Sequence, residues 1–101
     1  MQYSVSKNGS TVTVALTGRL TFEAQQEFRA MLQELATTNA SKWVIDLLKL
    51  DFIDSAGLGL LLRAKAHAEK HGAAAALRTP SQGQVDEILK IAHFHEMFEV
   101  V

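Results

Sequence analysis

The sequence predicts an α/β fold, with a mixed β-sheet of about four to five strands and three to four helices largely on one face of the sheet. Three observations lead to this prediction. Apolar and polar residues alternate near the start of the chain, three later segments carry apolar residues at helical spacing, and short apolar runs separate them. Short strands that alternate with helices along a chain are typical of parallel strands joined by right-handed crossovers. A chain of 101 residues is expected to form one domain, residues 1–101.

An N-terminal hairpin is predicted from alternating side chains. Val12, Val14 and Leu16 alternate with polar or small residues, as in a half-buried strand rich in β-branched residues. The turn signal Asn8-Gly9 precedes this strand and joins it to a weaker strand around residues 3–6. The two strands should therefore open the domain as an antiparallel pair.

The first helix is expected soon after this hairpin, and Thr21 is placed to cap its first turn. It should have about four turns and pack on one face only, because its other side is rich in polar residues. Its apolar residues at helical spacing are Ala24, Phe28, Met31, Leu32 and Leu35.

The middle of the chain predicts a buried strand and a second helix. Residues 43–48 are short, nearly continuous and apolar, which indicates a strand buried on both faces at the centre of the sheet. The helix that follows should stop at His71-Gly72. Its apolar stripe is assigned to Leu58, Leu61, Leu62 and Ala66.

The remaining elements are predicted as strand, helix and strand. Four consecutive alanines in residues 73–78 favour a helix by propensity, but Gly72 and Thr79-Pro80 leave room only for a short element. Position therefore favours a strand, and residues 97–101 can add a last one. The apolar side of the third helix is assigned to Val85, Ile88, Leu89 and Ala92.

Composition argues against several kinds of partner. Ten Lys and Arg stand against eleven Asp and Glu without long blocks of one sign, so nucleic acid is not expected as a direct partner. The absence of cysteine rules out disulfides and thiolate chemistry. The N-terminus lacks a secretory pattern and no apolar stretch approaches the length of a membrane span. We therefore expect a cytoplasmic protein without a membrane partner.

The most informative segment is the start of the second helix, where Ser55 lies at or just before the first turn. A helix start presents unpaired backbone N–H groups and the positive end of the dipole, which stabilise an anion. Ala56, Gly57 and Gly59 leave this turn almost bare, and Asp54 adds negative charge beside the serine. One interpretation is a serine that is phosphorylated and released; the other is an ordinary capping serine with glycines that permit tight packing.

The same segment resembles the signature of the STAS family, the sulfate-transporter and anti-sigma-factor-antagonist domains. The resemblance includes residues 44–47, residues 50–59 with the block Asp-Ser-Ala-Gly-Leu-Gly, and residues 16–20, and it covers essentially the whole chain. It implies a partner switch in which Ser55 is phosphorylated by an anti-sigma factor that is also a serine kinase. A metal-dependent serine phosphatase would reverse this step, and the chain itself would not be an enzyme. The implied partner-binding residues are Asp54, Ser55, Ala56, Gly57, Leu58, Gly59 and Thr21.

Two departures bear on that implication. Many antagonists carry an acidic residue where this chain has Thr21. This difference keeps open a second function, in which the chain is a permanently unphosphorylated STAS adaptor subunit of a transport or signalling complex. Ala56 replaces a second hydroxyl found in some members, so Ser55 is the one candidate acceptor of the segment.

Other sites are less favoured by the sequence. His67 and His71 are spaced four residues apart and His93 and His95 flank an aromatic residue, but neither pair has a convergent carboxylate or cysteine, so no metal is expected. Ile53 stands where a hydrolase elbow needs glycine. The glycines after Ser55 lack the third glycine of a dinucleotide fingerprint, so no cofactor is expected. The resemblance to STAS domains, some of which bind nucleotides, leaves weak nucleotide binding at the helix start open.

Overall fold

In a computed structural model that describes residues 1–101, six strands form a mixed sheet and four helices pack against it. The strands are β1 (Gln2–Asn8), β2 (Thr11–Leu20), β3 (Lys42–Asp46), β4 (Leu50–Ile53), β5 (Ala74–Arg78) and β6 (Glu99–Val100). The helices are α1 (Gln25–Ala36), α2 (Ser55–Lys70), α3 (Gln84–Ile91) and α4 (Phe94–Met97), and a 3-10 turn (Phe22–Ala24) precedes α1. The predicted α/β class with a mixed sheet is confirmed.

The sheet order is β1-β2-β3-β5-β6, with the hairpin β1-β2 antiparallel and the other pairs parallel. β2 is longer than β3 and changes its neighbour along its length. Its first half pairs with β3, and beyond the end of β3 it pairs with β4 through residues 18–20. β4 was not predicted as a strand, and its pairing places the chain directly before α2 beside the end of β2.

The hydrophobic core lies between one face of the sheet and the helices, mainly α1 and α2, with further buried residues from α3 and α4. Trp43 and Phe28 are its largest fully buried side chains. The opposite face of the sheet carries polar side chains and two ion pairs, Lys42 to Glu99 at 2.7 Å and Arg78 to Asp46 at 3.3 Å. β2 is covered on one face only, so its apolar and polar residues alternate, whereas β3 lies between two strands and has buried residues on both faces, so it reads as a continuous apolar run.

β3 ends earlier than predicted. Trp43, Val44 and Ile45 are buried, which confirms a strand covered on both faces. Asp46 ends the strand and accepts a hydrogen bond at 2.9 Å from the backbone N–H of Leu48. Leu48 then lies in the loop, 51% exposed, so the prediction that the strand continues through residue 48 was wrong.

The apolar stripe assigned to α2 was also wrong in phase. Leu61 is buried as predicted, but Leu58 is only partly buried, and Leu62 and Ala66 face solvent. The face that packs on the core consists of Gly57, Leu60, Leu61, Ala64 and Ala68. Three consecutive leucines fit more than one helical phase, and only the contacts of α2 with the sheet select the observed one.

The alanine-rich segment forms β5, as its position predicted. Its residues pair with β3 in parallel register, and Ala75, Ala76 and Leu77 are buried. Small side chains at this point let α2 pack closely on the strand. Thr21, in contrast, precedes the 3-10 turn and its side chain makes no capping hydrogen bond, so the predicted cap of α1 is not formed.

Candidate functional site

The junction between β4 and α2 is fixed by an aspartate cap. Asp54 has an extended backbone and its Oδ1 atom accepts a hydrogen bond at 2.8 Å from the backbone N–H of Gly57. This bond satisfies one of the unpaired N–H groups of the helix start. Ser55 is therefore the first helical residue, it is exposed, and the capping role that the sequence left open for it belongs to Asp54.

Gly57 holds the start of α2 against the end of β2. A Cβ atom at this position would lie 2.1 Å from the backbone oxygen of Leu20 and 2.7 Å from Cγ1 of Ile53. The backbone N–H of Asp54 also donates to the oxygen of Leu20 at 3.3 Å. The first turn of α2 is thus fixed to the sheet by a contact that only glycine permits.

Gln84, the first residue of α3, clamps the other side of the junction. Its side-chain amide donates to the backbone oxygen of Ile53 at 2.7 Å, and its Oε1 atom accepts from the N–H of Ile53 at 3.0 Å. The amide thereby pairs with the last residue of β4 as a neighbouring strand would. Ile53 immediately precedes the cap, so Gln84 helps to set the position of Ser55.

The outward side of α2 carries an exposed stripe that begins at Ser55. Gly59 and Leu62 follow it at helical spacing, with Leu58 partly exposed beside them. Leu62 is 41% exposed, and Phe22, on the 3-10 turn that packs against α2, is 66% exposed. Exposed apolar side chains grouped around a polar centre are typical of protein interaction sites. We call this surface, comprising Phe22, Ser55, Leu58, Gly59 and Leu62, the α2 face.

The site residues expected from the sequence divide into two groups. Ser55 and Gly59 are exposed, and Asp54, Ala56, Leu58 and Thr21 are partly exposed. Gly57 is buried and shapes the junction from below. Phe22 and Leu62 were not expected on this surface, although Phe22 falls outside the helical spacing of the α1 stripe and residues 60–62 are too many consecutive leucines for one buried face.

Acidic residues neighbour this surface along the chain, because Asp54 precedes Ser55 and Glu23 follows Phe22. Asp51 is exposed on β4, and a hollow of about 310 Å³ beside Thr21 is bordered by Glu23 and Glu27. Arg19 also borders this hollow, but its guanidinium lies 4.3 Å from the centre of the Phe52 ring. The arrangement offers a hydroxyl, an apolar contact area and nearby negative charge, which suits recognition controlled by added charge.

His67 and His71 lie in the second half of α2, away from this surface. The rings of His67 and His71 are 4.6 Å apart, and Trp43 lies 6.0 Å from the first and 6.3 Å from the second. Burial lowers the pKa of His67, with further contributions from His71 and Lys70. No group of three His, Cys, Asp or Glu residues in the chain is placed to hold a metal ion, and no helix is sufficiently long and apolar to span a membrane.

Comparison with known proteins identifies relatives over nearly the whole chain. The sequence profile of the family described as "Mlab, STAS domain" matches residues 3–101. A STAS-domain-containing protein of Pseudomonas aeruginosa (strain UCBPP-PA14) is 34% identical over 95 residues, which are 94% of this chain and 92% of that protein.

Solved structures share the fold at lower identity. The anti-sigma factor antagonist SpoIIAA in its unphosphorylated form matches with a TM-score of 0.72 at 22% identity, over 99% of this chain and 87% of that chain. The phosphorylated form of SpoIIAA, a Bacillus cell fate determinant, gives 0.69 at 20% identity, over 99% and 91% of the two chains. A sulfate transporter family protein from Wolinella succinogenes gives 0.74 at 16% identity, over 92% and 77%. At these identities the likeness establishes a common fold.

Proposed function

Because this chain belongs to the STAS domain family, we propose that it is an anti-sigma-factor antagonist working by a phosphorylation-controlled partner switch. In this proposal it binds an anti-sigma factor with serine kinase activity while Ser55 is unphosphorylated and releases it when Ser55 carries a phosphate. A metal-dependent serine phosphatase restores the binding form. The chain is then a substrate and a binding partner, without a cofactor and without catalysis of its own.

The observation that carries the proposal is the exposed position of Ser55 at the head of the α2 face. A kinase can reach the hydroxyl of Ser55 without unfolding the domain, because Ser55 is exposed and Asp54, not Ser55, makes the capping hydrogen bond. A phosphate at that residue lies near the N–H groups of the first turn and the positive end of the helix dipole, where negative charge is favourable. Phosphorylation should therefore leave the fold intact.

The phosphate should weaken docking of the partner on the α2 face. A phosphoserine carries about −1.5 to −2 charges at neutral pH. A partner that covers Leu58, Gly59 and Leu62 would have to desolvate this group in the acidic neighbourhood of Asp54. Unfavourable charge contacts in an interface amount to several kcal/mol, which corresponds to roughly a hundredfold or greater loss of affinity.

The test uses purified protein and the candidate anti-sigma kinases of the same genome, each incubated with ATP. We expect one kinase to add a single phosphate to the intact protein and none to the Ser55→Ala variant, as measured by mass spectrometry. Ser81→Ala removes another exposed serine and should accept the phosphate normally. The same kinase should bind the unphosphorylated protein and release the phosphorylated protein. The proposal is wrong if every such kinase leaves the protein unmodified.

A second function is favoured by one residue. Thr21, where many antagonists carry an acidic group, directly precedes Phe22 of the α2 face and leaves that position uncharged. A permanently unphosphorylated adaptor subunit of a transport or signalling complex would use the same face without the switch. In that case the protein should co-purify with an ATPase subunit, and ATP should not release it. ATP-dependent release that the Ser55→Ala variant abolishes excludes the adaptor.

A further inference from the structure

A furrow follows the groove between α1 and α2, on a different side of α2 from Ser55. It consists of two hollows in line. The first, of about 210 Å³, lies between Arg29 on α1 and Arg63 on α2, over Phe28 and Leu60. The second, of about 260 Å³, lies where both helices end, and Trp43 and His71 line it. The neighbouring rings of His67 and His71, inclined at 41° to each other, lie between one hollow and the other.

The charge of this furrow is one-sided. None of the residues that line the two hollows is acidic, although the chain has eleven Asp and Glu. The ion pairs of the chain use other basic residues, so neither Arg29 nor Arg63 has a carboxylate partner. Two unpaired guanidiniums on opposite walls of an apolar-floored groove are suited to a carboxylate, which arginine can bind with two parallel hydrogen bonds.

The second hollow favours different ligand groups from the first. The negative dipole ends of α1 and α2 lie at this hollow and disfavour a second anion there, although turn N–H groups and side chains already pair with most of their last carbonyl groups. Asn39, with a left-handed backbone (φ 57°), and Ser41 add polar groups to the same wall. The side-chain amide of Asn39 has no hydrogen-bond partner within the chain, and the N–H and C=O groups of a peptide backbone can pair with it, whereas a hydrocarbon tail cannot.

We propose that this furrow binds a short acidic peptide segment of a partner protein, at a surface independent of the α2 face. An acidic side chain lies between Arg29 and Arg63, and the backbone continues past His67 toward Trp43. Helix α1 is 12 residues long, so the furrow is about 18 Å long, enough for roughly five or six extended residues. The proposal adds a second contact site to the protein and does not depend on phosphorylation of Ser55.

The probe is the six-residue peptide acetyl-Leu-Glu-Leu-Glu-Leu-Glu-amide, and Trp43 is the reporter. Trp43 is the single tryptophan of the chain and lines the second hollow, so occupation of the furrow should change its fluorescence. We expect saturable binding with a dissociation constant of about 1 mM or tighter, weaker in high salt. Amide shifts in NMR spectra should be confined to α1, the second half of α2 and the loop at residues 39–41.

Matched variants and peptides decide the outcome. Arg29→Gln and Arg63→Gln should each weaken binding by roughly three- to tenfold, since each removes one charge-assisted contact. Lys49→Gln removes the same charge from an exposed loop and should bind normally, as should Ser55→Asp. The same peptide with Lys in place of Glu should not bind. The proposal is overturned if the Glu peptide fails to bind, if the Lys peptide binds equally, or if octanoate alone binds as tightly.

Discussion

Two glycines in the first turns of α2 should respond to the same substitution in opposite directions. Gly57 lies under the end of β2, where an added Cβ atom would meet the backbone oxygen of Leu20 at 2.1 Å. Gly59 has nothing within 4 Å of the corresponding position. Alanine is the better helix former at both positions by about 1 kcal/mol. The difference between the two variants therefore measures the close contact of α2 with β2.

For Gly57→Ala the contact should outweigh the helix propensity. Ordinary contacts begin at 3.4 Å, so α2 must shift by roughly 1 Å, which disturbs the bond from Gly57 to Asp54 as well. Overpacking and a weakened cap together should lower the free energy of unfolding by about 2–4 kcal/mol. Gly59→Ala should raise it by about 0.5–1 kcal/mol.

Urea denaturation followed by circular dichroism measures both changes, and thermal unfolding should move by roughly 4–8 °C for each kcal/mol. Because Gly59 lies on the α2 face, its variant also tests docking in a protein that is at least as stable as the parent. An unfolding free energy of Gly57→Ala within 0.5 kcal/mol of the parent would refute the packing argument. So would a loss of stability in Gly59→Ala.

Three further outcomes are expected. Gln84→Ala removes both side-chain bonds to the backbone of Ile53 and should destabilise the protein by about 1–2 kcal/mol in urea titrations, while Gln84→Glu, which keeps the acceptor but loses the donor, should recover part of the loss. The pKa of His67 lies below its ordinary value of 6.5, so the unfolded chain takes up this proton first; stability should be complete above about pH 6.5 and decrease as the pH falls, and His67→Gln should reduce that dependence in thermal scans. Leu62→Glu should leave the thermal midpoint unchanged, since Leu62 faces solvent, yet weaken binding of the anti-sigma kinase at least tenfold in titrations; unchanged affinity would exclude Leu62 from the interface.

The sequence predicted the class of fold because its strongest signals are local. The alternation around Val12 to Leu16 and the apolar run at residues 43–46 report burial on one or both faces of the sheet, and both strands were found. The alanine segment became a strand against its propensity because the flanking turns left no room for a helix. In each case a short stretch of sequence was sufficient to determine the element.

β4 and the phase of α2 could not be read in that way. β4 is four residues long and pairs with β2, a strand about 30 residues earlier, beyond the point where β3 ends. The phase of α2 depends on Gly57, which contributes nothing to a count of apolar residues and yet sets the contact with Leu20. The exposed stripe was therefore mistaken for part of the core. The position of Ser55 was predicted correctly because glycine, aspartate and serine mark a helix start locally.

The two surfaces on α2 differ in the sign of the charge that they accept. By helical geometry Arg63 and His67 lie roughly 80–120° around the axis from Ser55, so the furrow and the α2 face are adjacent but distinct. The furrow has no acidic lining, whereas Asp54 borders the face and a phosphate on Ser55 would add to its negative charge. An acidic segment that binds between the arginines of the furrow would be repelled by the negative charge of the phosphorylated α2 face. The same acidic peptide therefore cannot bind both surfaces once Ser55 is phosphorylated. A partner that contacts both surfaces therefore stays bound through the furrow when it is released from the α2 face. Its affinity for the Ser55→Asp variant should fall, but no lower than the affinity that the furrow provides by itself.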